Sequence, residues 1–220
     1  MKKIAILTFM LVAILTANAE NIIKKNFTIS DIKELEVSNN FTVRLYQGET
    51  ESLTIQAEEN MMDYVMVNIV DNKLNISLAK NVPNDSRFFY VDLTVKNLDI
   101  IKLSGSCLLV TRNQVNFPEI ALNISENAQV NLKLKSINTH INTSGNNTCE
   151  FEGDVENCEI ITSGNAVIKA EKFIINNINI EASGSSIANL NVINTANTKK
   201  LDSSKITFLQ NPKIVTGNSY

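Results

Sequence analysis

The sequence predicts an all-β chain wound as a parallel β-helix, and three observations carry that prediction. Asn, Ile, Thr and Val are abundant, Pro is rare, Trp is absent and aromatic residues make up 6% of the chain. Such a mixture suits short β-branched strands joined by polar corners better than helices. Ser-Gly then recurs at Ser104-Gly105, Ser144-Gly145, Ser163-Gly164 and Ser183-Gly184, with Ser125-Glu126-Asn127 filling the gap at the same phase. Leu201-Asp202-Ser203-Ser204 falls near the next expected place, and Thr216-Gly217-Asn218 follows after a shorter step. Apart from that last step the period is about 19 to 21 residues, the range of a solenoid repeat. Finally, apolar or small residues alternate on both sides of each corner, which is the signature of half-buried strands.

Residues 1–19 read as a secretory signal peptide. Lys2 and Lys3 precede an apolar run from Ile4 to Leu15, and Ala17-Asn18-Ala19 fits the small-x-small cleavage rule, placing the cut between Ala19 and Glu20. The apolar run is shorter than the ~20 residues needed to span a bilayer. No Cys follows it, so a lipid anchor is not expected, and no other segment is apolar enough to cross a membrane. Periplasm, cell surface and secretion all remain open.

Residues 20–220 read as a single domain whose first part, 20–97, is strand-rich but not periodic. Val37, Phe41, Val43 and Leu45 alternate, Gln47-Gly48-Glu49 turns the chain, and Leu53, Ile55 and Ala57 alternate again. Glu58 to Tyr64 suits one helical turn. Val65–Ile69, Leu74–Leu78 and Tyr90–Val95 read as strands, with Val70-Asp71-Asn72-Lys73 as a tight hairpin. This part is expected to cap or extend the stack, because a β-rod has open ends that need covering. The end at Tyr220 shows no obvious cap, which leaves an edge either to pair with another chain or to be covered by a local turn.

From 98 to 220 the repeat implies roughly six stacked turns, a rod of ~25–30 Å at the ~4.8 Å spacing of paired strands. Before the corners stand Ile120/Leu122/Ile124, Thr139/Ile141/Thr143, Cys158/Ile160/Thr162 and Ile178/Ile180/Ala182. After them stand Val130/Leu132, Cys149/Phe151, Ile168/Ala170 and Ala188/Leu190. Both sets are expected as inward ladders. Gly supplies the positive φ of a tight corner, Ser and Asn bond neighbouring backbone, and Asn127, Asn146 and Asn165 share one phase suited to an amide ladder. A phosphate cradle is disfavoured, since that needs a strand leading into a helix with a Lys nearby.

Composition excludes some functions. With a net charge of −3, a pI near 5.3 and no basic run, nucleic acid is not an expected partner. Cys107, Cys149 and Cys158 match no zinc spacing and His140 is the single His. No metal and no cofactor is therefore expected. Cys149 and Cys158 are spaced to pair across a short loop in an oxidising compartment, but read better as small buried hydrophobes. Asp99, Asp154 and Asp202 fall at different phases, Glu150, Glu152, Glu156 and Glu159 read as a solvated face, and Arg112 and His140 have no carboxylate at matching phase. No catalytic residue is assigned, although a polysaccharide lyase or hydrolase on the same scaffold is the rival class, since such chemistry needs paired carboxylates or an acidic cluster with a base. For binding, the candidates are Arg87, Phe88, Phe89 and Tyr90. Three adjacent aromatics on a strand cannot all point inward, so Phe89, or else the Phe88/Tyr90 pair, is exposed to a sugar or peptide or serves to cap the rod.

The chain resembles the head-GIN-domain family of autotransporter adhesins, exported proteins common in Bacteroidota. The likeness lies in "LEVSNNFTVRLYQGETESLTIQAEENMMDYV", "VDNKLNISL", "VKNLDIIKLSGS", the repeated SGN corners and "ITFLQNPKIVTGNSY". It covers nearly all of the chain after residue 19. The resemblance implies a right-handed, pectate-lyase-like β-helix at the cell envelope, with adhesion to a surface glycan or protein as its role, and it supplies no ligand or catalytic residue. The corners here are SGS, SEN, SGN and SS, more polar than the SGAG frequent in that family.

Overall fold

The computed structural model describes residues 21–83 and 89–219. The predicted signal peptide and cleavage site, and the candidates Arg87 and Phe88, lie outside the described residues. In chain order the elements are β1 (Ile22–Phe27), β2 (Glu34–Val37), β3 (Phe41–Gln47), β4 (Ser52–Glu58), a 3-10 turn (Glu59–Tyr64), β5 (Val65–Val70), β6 (Lys73–Leu78) and β7 (Phe89–Val95). There follow β8 (Ile100–Leu103), β9 (Leu108–Thr111), β10 (Val115–Asn116), β11 (Glu119–Glu126) and four long strands that each run round most of a coil: β12 (Gln129–Gly145), β13 (Thr148–Thr162), β14 (Val167–Ala182) and β15 (Ile187–Lys200). The last two are β16 (Lys205–Phe208) and β17 (Ile214–Ser219).

The regular stack arises because every coil repeats the same demands at the same phase. Each of β11 to β15 pairs in parallel with its successor, with Ile124 under Thr143, Thr143 under Thr162 and Thr162 under Ala182. Inward residues from successive coils are thereby stacked into ladders, and the expected members are buried, including Val130, Cys149, Ile168 and Ala188 on one side and Ile141, Ile160 and Ile180 on the other. Thr143 Oγ1 donates to Thr162 Oγ1 at 2.9 Å, so the polar rungs in this ladder satisfy each other. Phe151 and Phe173 stack with centroids 5.7 Å apart.

The coils have two principal faces. The first carries β6, β2, β8 and β11, then Asn138–Gly145 and the equivalent later segments of β13 to β15, and ends at β17. The second carries β4, β7, β3 and β9, then Gln129–Lys135 and its equivalents, and ends at β16.

The stack begins earlier than the Ser-Gly period indicates. β2 lies parallel between β6 and β8, and β3 lies parallel between β7 and β9. The β2–β3 coil therefore sits above the coil made by β6 and β7, which follows it in sequence. Its corner is Ser38-Asn39, and Asn39 has a φ of 78°, so a non-glycine residue takes the conformation that Gly105 takes one level up. The non-periodic part both extends and caps the rod. β4 runs antiparallel to β7, β1 antiparallel to β4, and β5 antiparallel to β6. Met61 and Met62 of the 3-10 turn are buried beneath the stack. The Asp71-Asn72 hairpin has both residues at positive φ, as a type I′ turn requires.

Candidate functional site

The corner that recurs in the sequence is a single column in space. Asn39, Gly105, Glu126, Gly145, Gly164, Gly184 and Asp202 all have positive φ and occupy successive levels. At Gly164 an added Cβ would meet the Gly145 carbonyl oxygen at 2.8 Å. The next residue of each corner donates its N–H to the coil below. Asn127 donates to Gly105 O (2.9 Å), Asn146 to Glu126 O (2.6 Å), Asn165 to Gly145 O (2.8 Å) and Ser185 to Gly164 O (2.8 Å). These N–H groups are consumed within the stack, so Ser104, Ser144, Ser163, Ser183 and their glycines build a corner and offer no anion nest. Above them Asn146 Nδ2 donates to Asn127 Oδ1 (3.3 Å) and Asn165 Nδ2 to Asn146 Oδ1 (2.7 Å).

A second amide ladder, which the sequence reading missed, closes the far side of the coils. Asn157 donates to Asn138 (3.1 Å), Asn177 to Asn157 (3.2 Å) and Asn194 to Asn177 (2.8 Å). Its signal is present as Asn recurring at nearly the coil period, but it is diluted by the abundance of Asn elsewhere.

Several charged side chains are paired between coils. Lys133 meets Glu152 at 3.3 Å and Lys135 meets Asp154 at 3.9 Å. Glu150 and Glu152 lie in register with Lys169 and Lys172 of the next coil. His140 does have a carboxylate at matching phase, contrary to expectation: its Nδ1 is 2.9 Å from Glu159 Oε2, nineteen residues on. The pair is exposed on the first face, with no second carboxylate facing it across a cleft among the described residues. Asp202 Oδ2 accepts from the Gly184 N–H at 2.9 Å and so serves the corner below it. No group of three or more His, Cys, Asp or Glu suited to a metal is found among the described residues.

Of the aromatic candidates, Phe89 is 2% exposed and packs on Phe41 with centroids 5.2 Å apart. It is therefore a core residue and not a binding platform, because β7 alternates and its phase turns Phe89, Val91 and Leu93 inward. Tyr90 consequently faces outward. Its half-buried ring lies under the Arg44 guanidinium at 5.1 Å, and Arg44 is held by Asp92 at 2.6 Å.

One stretch of the first face sets two outward amides on adjacent coils beside a depression. Asn123 of β11 and Asn142 of β12 are in register on adjacent coils and point outward. Unlike the two amide columns above, their side chains have no hydrogen-bond partner among the described residues. With Ser104, Ser125, Ser144, Glu36 and Lys102 they line an open depression of about 250 Å³. At its lower edge Lys102 meets Glu34 at 2.7 Å, while Lys73 meets Glu34 at 3.2 Å and also Glu36. The Lys102 ammonium holds the Glu34 carboxyl below the usual carboxylate range against the opposing effect of burial, and Glu36 and Glu34 raise Lys73.

Cys107, Cys149 and Cys158 are free and buried. Burial pushes the Cys107 thiol up to about 11, and those of Cys149 and Cys158 up to about 12. Thiols in that state are poor nucleophiles. Cys149 lies in the ladder of Val130 and Ile168, Cys158 in that of Thr139 and Ile178.

Comparison with known proteins gives the family and the fold. The family model described as "Putative auto-transporter adhesin, head GIN domain" matches residues 31–212. A "putative adhesin" from Bacteroides fragilis is similar in structure, with a TM-score of 0.85 at 15% identity over 90% of this chain and 93% of that one. A second "putative adhesin", from Parabacteroides merdae, gives 0.71 at 18% identity over 91% and 95%. A "putative lipid binding protein" from Parabacteroides distasonis gives 0.66 at 14% over 91% and 98%. No curated protein matches the chain. Among the described residues no helix is long and apolar enough to cross a membrane.

Proposed function

The chain belongs to the head GIN domain family, and from that premise we propose that it is an exported, non-enzymatic binding module presenting a rigid β-face at the cell envelope to a surface glycan or protein. The observation that carries this reading is the contrast among its outward polar groups. Several lysine–carboxylate pairs and two columns of amides hold coil to coil, which is the use a scaffold makes of them. Asn123 and Asn142 instead keep their hydrogen-bonding capacity beside an open depression of the first face. A face fixed by backbone ladders on both sides loses little conformational entropy when it binds, which favours recognition by side chains. Tyr90, with Arg44 over its ring, is a second and smaller outward platform.

The experiment is retention of the purified chain on immobilised envelope polysaccharide and on envelope protein, with release of reducing or unsaturated ends measured in parallel. Retention without turnover is expected. Turnover would replace this reading with that of a carbohydrate-active enzyme, and an absence of retention on either material would leave a purely structural envelope component. Tyr90→Ser is expected to reduce retention less than changes in the Asn123/Asn142 depression.

A further inference from the structure

We infer that the Asn123/Asn142 depression is the binding subsite and that its ligand is a neutral, extended oligosaccharide lying along the rod axis. This rests on the binding-module reading above and adds the place and the chemical class. Three features support it, each independent of the others.

The first is hydrogen-bond accounting. Asn127, Asn146 and Asn165 satisfy one another, as do Asn138, Asn157, Asn177 and Asn194. Asn123 and Asn142 are stacked in the same way, yet their amides turn to solvent. Each amide offers two donors and an acceptor, a set that matches vicinal hydroxyls. Ser104, Ser125 and Ser144 stand beside them in the adjoining column.

The second is periodicity. Equivalent groups on adjacent coils are separated by the ~4.8 Å spacing of paired strands, so the site presents the same pair of groups again after one translation along the axis. A ligand that fills it must also repeat by translation, as an extended polymer does. A peptide added as a strand is excluded on this face, because the main chain of Ala121–Ile124 is already paired on both sides, with Ile100–Leu103 below and His140–Thr143 above. Strand addition needs an open edge.

The third is charge. Among the described residues Lys102 and Glu36 are the only charged lining groups, and each is already engaged, Lys102 by Glu34 and Glu36 by Lys73. The site therefore offers no spare cation to an acidic polymer. Beyond Asn142 the same outward column continues to Ile161, which is 46% exposed and bounds the polar stretch with an apolar wall. Among the described residues no aromatic ring lines the depression, so a single site binds weakly, and avidity from many copies would supply retention.

The test is titration of the purified chain with neutral cello-, laminari- and malto-oligosaccharides of increasing length and with polygalacturonate, followed by backbone amide shifts. At least one neutral series should bind, more tightly as it lengthens, with shifts centred on 100–104, 121–126 and 140–145. The double variant Asn123→Ala/Asn142→Ala should weaken binding about tenfold or more, the loss of roughly 1.4 kcal/mol expected when two such hydrogen bonds are removed. Its melting temperature should not change, and Lys169→Ala on the second face should bind as the unaltered chain does. If the unaltered chain binds but the double variant binds equally well, this location is wrong while the binding-module reading survives. Preference for polygalacturonate overturns the ligand class. No binding to any oligosaccharide, with retention only on envelope protein, overturns the inference and leaves a protein-binding face. No retention on anything overturns both.

Discussion

The two ends of this rod are built by different logic. From β11 onward each coil is held by the coil that immediately follows it, so almost every stabilising contact spans about nineteen residues. At the other end, β2 and β3 are inserted between strands that come later in the chain, and the stack is closed by β4, β1 and β5 running antiparallel. The capped end must assemble from distant segments at once, whereas the regular end can add or lose a coil at a time. Near-neighbour repeats of this sort have stabilities that vary along the rod. At the last coil the inward ladder runs out: Ile206 and Phe208 are only partly buried and Val215 is 55% exposed, although its partner Ala196 is buried. At the opposite edge the exposed Lys25 of β1 stands in register with the buried Ile55, a charge that blunts strand pairing.

The comparison is broken most severely by Gly153→Val. Gly153 has a φ of 118°, and an added Cβ would lie 2.0 Å from Leu134 O, in the middle of the regular stack where the neighbours cannot withdraw. A loss of at least about 3 kcal/mol is expected in denaturant unfolding. Gly217→Val meets a similar clash, 1.8 Å from Thr198 O at a φ of 132°, but in the final coil. Local release of that coil should hold its global cost to about 1 kcal/mol, with faster hydrogen exchange confined to β16 and β17. Equal costs would show that the rod unfolds as one unit.

At the capped end a change of size comparable to Gly153→Val is Phe41→Ala, which removes the ring packed on Phe89 where β3 meets β7. A loss of about 3–5 kcal/mol is expected, together with slower folding, because the contact joins segments far apart in the chain. Val215→Lys at the open end should change stability by less than about 0.5 kcal/mol and abolish any concentration-dependent self-association seen by sedimentation.

The smallest effect belongs to Glu34→Gln. Lys102, and then Lys73, lower the Glu34 carboxyl relative to the unfolded chain. The unfolded state therefore binds the proton more readily, and the stabilisation is present above the unfolded carboxylate pKa. It is lost as pH falls through the lower folded value. The stability difference between the unaltered chain and Glu34→Gln should thus be small and constant near neutrality and disappear in acid. A difference that grows in acid would contradict the assigned direction.

The regular end was legible in the sequence and the capped end only in part. The Ser-Gly period, the polar corner and the inward ladders follow from residues that recur at one phase, and even Glu126 in place of Gly could be recognised from its neighbours Ser125 and Asn127. The position of β2 and β3 was not legible, because Ser38-Asn39 carries no glycine and its coil partners, Lys73–Ile76 and Ile100–Leu103, are distant in sequence. Phe89 and Tyr90 illustrate a simpler limit. Alternation required one to face out, but only the register with Phe41 decides which. The His140–Glu159 pairing is legible in the sequence from their separation of nineteen residues, one coil. The unpartnered state of Asn123 and Asn142 was not readable at all, since their spacing is the same as that of the laddered amides and only side-chain direction distinguishes them.

The corner column also makes length a quantised property of this chain. Removing residues 144–162 would join Thr143 to Ser163, carry one corner into the next and leave every inward position occupied, shortening the rod by ~4.8 Å. Removing half as many would turn a core strand to water. Variation in this molecule can therefore proceed by whole periods, and a lineage can tune the length of the face without redesigning the core.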